Sequence, residues 1–136
     1  MTTPLEQLKE VDLSHLSKEE AKEFTLLLEE LEKREKRESS MASFYDFVKA
    51  IWPEFIAGAH HKKMAEAFDK IASGESKRLI INMPPRHTKS EFASYLFPAY
   101  LLGKRPKLKI IEATHTADLA INFGRRVRDL LESEEY

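Results

Sequence analysis

The sequence contains no cysteine. Disulfides and thiolate metal sites are therefore excluded, a composition that suits the cytosol. It has 4 glycines in 136 residues, and none lies between positions 75 and 102. No apolar run approaches the roughly 18 residues that a membrane span needs, and the opening "MTTPLEQLKE" lacks the basic and apolar regions of a signal peptide. There is no internal repeat. What remains is 42% hydrophobic and 33% charged, the balance of a globular chain with polar, helix-rich parts and length enough for one core.

Charge is unevenly placed. Residues 1–40 carry 7 basic and 11 acidic side chains, while residues 60–128 carry 14 basic against 6 acidic. The basic half suits a polyanion, either nucleotide phosphates or a nucleic-acid backbone, and ordinary surface lysine and arginine would give the same count.

Three parts follow along the chain. Residues 1–40 read as an acidic helical segment. Ser17 and Glu20 stand at capping-box spacing, and Phe24, Leu27, Leu28 and Leu31 mark one apolar face before an almost wholly charged stretch to Glu38. That stretch reads as a solvated helix end or linker, with a docking helix for a partner as the functional alternative. Residues 41–74 are aromatic. Phe44, Phe47, Val48 and Ile51 predict a helix that Pro53 ends, and Met64, Phe68 and Ile71 predict another capped by Gly74. His60 and His61 have no further ligand at a spacing such as H-x3-H, so a metal reading is set aside. Trp52 and its neighbours read as core rather than as a stacking platform.

In residues 77–136, "RLIINM" and "LKIIEAT" are short apolar β-branched runs without alternation, as expected of strands buried in a parallel sheet. A helix-like stretch, 89–102, lies between them, closed by Gly103. A second helix is marked by Ala120, Phe123, Val127 and Leu130. Strand, helix, strand, helix with short connections predicts an α/β fold. Pro98 should cost one helical hydrogen bond and bend the last turn.

The stretch "LIINMPPRHTKSEF" carries the chemistry. A phosphate loop needs converging backbone N–H groups, a helix N-terminus, a lysine and a hydroxyl for Mg²⁺. Lys89 and Ser90 supply the last two, directly after an apolar run. Met83 and Thr88 occupy the positions where the usual pattern has glycine, and a threonine at 88 should disfavour positive φ. Pro84 and Pro85 stiffen the entrance. Arg86 can reach a γ-phosphate, where phosphoryl transfer rewards a cation, or can pair with a carboxylate such as Glu91. His87 can line the loop or face solvent.

"RLIINMPPRHTKSEFAS", followed by "LFPAYLLGKRPKLKIIEATHTADLAINFGRRVRDLL", resembles the ATPase region of the large terminase subunit of tailed bacteriophages. The resemblance runs from about Phe44 to Tyr136. "PPRHTKSE" is its most specific part, departing from the family's Walker A motif only at Thr88. It implies a P-loop-type parallel sheet, present in part over residues 41–136, behind the helical segment 1–40. It implies ATP and Mg²⁺ as cofactors in a motor that drives double-stranded DNA into a procapsid. The portal protein and a small terminase subunit would be partners, the full-length motor a homo-oligomer, and the host cytoplasm and the procapsid portal its place, with no membrane involved.

Carried over by position, Lys89 would hold the β- and γ-phosphates, Ser90 would bind Mg²⁺ and Arg86 would act in cis on the γ-phosphate. Pro85, His87 and Thr88 would complete the loop, and His61 would contact adenine. "ATHTADLA" would sit near DNA, with Arg125, Arg126 and Arg128 as backbone contacts or as plain solvated arginines. The family's Walker B Asp-Glu and its nuclease carboxylates have no counterpart in the sequence, so the expectation is an N-terminal fragment with negligible ATP hydrolysis of its own. The alternatives are another P-loop ATPase of helicase-like or chromosome-partitioning type, and a non-catalytic module whose basic helices dock DNA or a partner.

Overall fold

The computed structural model describes residues 17–133 and Tyr136. The chain divides into two units, 1–39 and 40–136, and residues 1–16 of the acidic segment lie outside the described residues.

Helix α1 (Lys18–Ser40) supplies the described part of the first unit. Its start is set by the expected capping box. The Glu20 N–H donates to Ser17 Oγ at 3.3 Å and the Ser17 N–H donates to Glu20 Oε2 at 2.8 Å, which satisfies two amides that a helix start otherwise leaves to water. No residue of α1 is buried. Phe24 and Leu28 are half-buried, while Leu27 and Leu31 are exposed.

The second unit is built from α2 (Phe44–Ile51), α3 (Ala59–Ser73), a π-helical segment (Glu91–Leu96) that runs directly into α4 (Phe97–Lys104), and α5 (Ala117–Leu131). The period-3.6 readings for α2, α3 and α5 hold. Phe44, Phe47 and Val48 of α2, Met64 and Phe68 of α3, and Phe123, Val127 and Leu130 of α5 are all buried. α2 ends at Ile51 with Trp52 as its C-cap, just before Pro53, and Gly74 closes α3 at φ 83°, a left-handed conformation that glycine adopts without steric cost.

The core is aromatic. The Phe44 ring, wholly buried, has the rings of Phe68, Phe92, Phe97 and Tyr100 within 5.5 Å, three of them edge-on and Tyr100 tilted. Deleting such a ring costs about 3–5 kcal/mol. Asp69 ties the helices together: its carboxylate accepts the Phe44 N–H at 2.9 Å and the Tyr100 hydroxyl at 2.9 Å. The Tyr100 oxygen in turn accepts Lys104 Nζ at 2.7 Å. Burial, then the neighbouring Asp69, pushes the Tyr100 phenol well above its usual pKa.

The expected parallel sheet is not there. Among the described residues no strand forms, and both "RLIINM" and "LKIIEAT" lack regular secondary structure. The fold is helical, which corrects the α/β expectation. The physical reason is that β-branched apolar runs signal a preference for extension but not a pairing partner, and a ladder needs both. Ile81 and Met83 instead pack on the helical core, while Ile80 is 85% and Ile111 93% exposed.

Pro98 also acts differently from its expectation. The irregularity lies before it, where the Phe97 N–H bonds Phe92 O in the i→i−5 register. A proline has no N–H for the Ser94 carbonyl and its ring crowds that group, so the preceding turn widens rather than the last one bending. Gly103 lies within the last turn of α4, which runs on to Lys104. A Cβ there would clash with the Tyr136 hydroxyl and the Met41 methyl. None of the described helices is long and apolar enough to cross a membrane.

Candidate functional site

The loop between residues 84 and 90 owes its shape to two backbone conformations. Arg86 has φ 64° and Thr88 has φ 55°, the two non-glycine residues with positive φ among those described. Positive φ at 86 and 88, with an ordinary angle at His87 between them, is the kind of alternation from which anion-binding backbone nests are made. Thr88 thus adopts the conformation that its side chain was expected to disfavour. For a β-branched residue that costs on the order of 1–3 kcal/mol.

Hydrogen bonds hold the loop there. The Gly58 N–H donates to His61 Nδ1 at 2.9 Å, His61 Nε2 lies 2.6 Å from Thr88 Oγ1, and Thr88 Oγ1 donates to the His87 carbonyl at 2.7 Å. Nδ1 accepts, so a neutral ring carries its proton on Nε2 and donates it to Thr88. His61 is 7% exposed, packed against Phe55 and Phe92. Burial, then the nearby His60 and His87, lowers its pKa and keeps it neutral. Both ring nitrogens of the expected adenine contact are therefore engaged within the fold. His87 Nδ1 pairs with the Pro85 carbonyl at 2.9 Å, a second brace inside the loop.

Thr88 also starts the next helix, since its carbonyl accepts the Phe92 N–H at 2.9 Å. Lys89 and Ser90 occupy the first turn, where backbone N–H groups have no helical acceptor and the dipole favours an anion. Together with Lys77, Ser94, Leu79 and Phe97 they help to line a cavity of about 500 Å³ between α3, residues 77–81 and the start of the helix. Lys77 was not anticipated. It precedes the apolar run, and only the folded path of residues 77–81 brings it to the cavity that Lys89 also lines.

Arg86 is exposed. Glu91, its expected alternative partner, is taken by Arg126, which grips it bidentately at 2.9 and 2.5 Å and stacks 4.1 Å from the Tyr95 ring centroid. The hydrogen bond to Glu91 raises the Arg126 pKa further. Of the three arginines read as DNA contacts, Arg126 is thus committed inside the fold. Arg128 pairs with the adjacent Asp129 at 2.7 Å on the exposed face, and Arg125 is exposed.

The arrangement can receive an anion at residues 86–90, with one ammonium and one hydroxyl beside it. Among the described residues no group of three or more His, Asp or Glu side chains is placed to hold a metal. An ion at Ser90 would draw its remaining oxygen ligands from bound phosphates and water. No protein-family model, no curated protein and no solved structure matches the chain.

Proposed function

We propose that residues 84–90 bind the phosphates of ATP with Mg²⁺, as part of a DNA-packaging ATPase of the large-terminase kind. The observation that carries this reading is Thr88 at φ 55° directly before Lys89 and Ser90. The position that usually needs glycine has glycine's backbone conformation, although its side chain opposes it. In this reading Lys89 neutralises the β- and γ-phosphates, Ser90 gives its hydroxyl to Mg²⁺, and the exposed Arg86 turns onto the γ-phosphate. Double-stranded DNA, a portal and a small terminase subunit are the partners this reading implies. DNA would meet the basic face that carries Arg125 and Arg128.

A fluorescent ATP analogue titrated with Mg²⁺ tests it. Saturable binding should weaken by roughly 10–100-fold in Lys89→Ala and by less in Ser90→Ala, where the loss should vanish when Mg²⁺ is omitted. The helical architecture favours a second reading, a non-catalytic module that docks DNA through its basic helices. That reading predicts no nucleotide affinity in any variant, together with salt-sensitive DNA binding that Arg125→Ala and Arg128→Ala weaken.

A further inference from the structure

A threonine at φ 55° needs something to hold it, and His61 is placed to do so. His61, the third residue of α3, reaches back to the Gly58 N–H with one nitrogen and across to Thr88 Oγ1 with the other. The Thr88 hydroxyl then spends its own proton on the His87 carbonyl. Each donor in this chain meets one acceptor, so the three bonds fix the Thr88 side chain relative to its own backbone and to a helix 27 residues earlier. Glycine needs no such brace at this position, because it reaches positive φ without steric cost.

We infer that His61 is a positioning residue that substitutes for the missing loop glycine: its hydrogen bond to Thr88 holds the left-handed backbone that aims the loop at its anion. The dependence on His61 is therefore conditional on the residue at 88. A side chain that only filled the space between Phe55 and Phe92 would be needed equally with threonine or glycine there. The inference rests on the phosphate reading for what the loop binds, but not for how the loop is held.

The test is a double-mutant cycle between His61→Leu and Thr88→Gly, read by thermal unfolding and by titration of the same ATP analogue. Leucine keeps the buried volume and removes both nitrogens. With Thr88 present, His61→Leu should lower Tm by roughly 4–8 °C and weaken the analogue at least about tenfold. With Thr88→Gly, the same change should move the affinity less than about threefold and Tm by less than half as much. His61→Gln, whose amide can still donate to Thr88 Oγ1, should recover part of both losses. Equal losses from His61→Leu in the two backgrounds would overturn the proposal. If His61→Leu alone fails to fold, recovery with Thr88→Gly supports the proposal and failure in both backgrounds overturns it. If no variant binds the analogue, wild type included, the phosphate reading falls, and the Tm cycle still decides the role of His61.

Discussion

A neutral imidazole at position 61 makes the loop sensitive to pH in one direction. Protonation would place a hydrogen on Nδ1, which must accept the Gly58 N–H. The titratable groups facing the ring are His60 on α3, with ring centroids 3.8 Å apart, and His87 on the loop. Phe55 and Phe92, packed on it from the other two segments, bring no charge. The folded pKa is lowered from 6.5, so the unfolded chain takes up the proton first as pH falls. Stability contributed by this group is present in full above about pH 6.5 and is lost as pH falls through the lower folded value. Thermal unfolding from pH 7.5 down to 5 should show Tm falling in the wild type, with a shallower fall in the double variant His61→Leu/Thr88→Gly. Equal slopes would place the sensitivity on other groups.

At the scale of elements, the clamp between Arg126 on α5 and Glu91 in the π-helical segment joins parts of the chain 35 residues apart. Both side chains are about a third exposed, so solvent screening reduces its worth. Arg126→Ala should cost about 1 kcal/mol in urea unfolding, and less at high salt. Arg126→Lys should recover less than half, because an ammonium cannot reproduce the two-pronged geometry or the stacking on Tyr95.

Helices α1, α2, α3 and α5 were legible in the sequence because caps and period-3.6 stripes are local signals: Ser17 with Glu20, Pro53, Gly74, and the Phe123–Val127–Leu130 series. The two apolar runs misled because a strand exists only with a neighbour, and pairing is not written in a single segment. The widened turn before Pro98 was half legible, since the proline was visible but not the direction in which the backbone would yield. Within the candidate site, Lys89 and Ser90 could be read from their place in the chain. The His61–Thr88 bond could not, because it depends on how α3 meets the loop. Only the Gly58-to-His61 spacing, a reversed arm of a capping box, offered a local hint.

Across the whole molecule, the absence of a ladder among the described residues leaves Ile80 and Ile111 in solvent within two β-branched runs of low charge. Such runs recruit each other between molecules. Replacing both by lysine should raise the concentration at which light scattering begins while changing stability by no more than about 0.5 kcal/mol. A large loss of stability would mean that those side chains are needed inside.

The carboxylate of Asp69 has a consequence of another kind. Seated on α3, it holds the leading amide of α2 and the hydroxyl of a tyrosine on α4. The end of a helix ordinarily frays one turn at a time, and here the first amide of α2 is anchored to a different helix. None of the three can peel away without breaking a hydrogen bond at the half-buried Asp69 carboxylate, so α2, α3 and α4 should open together rather than one by one.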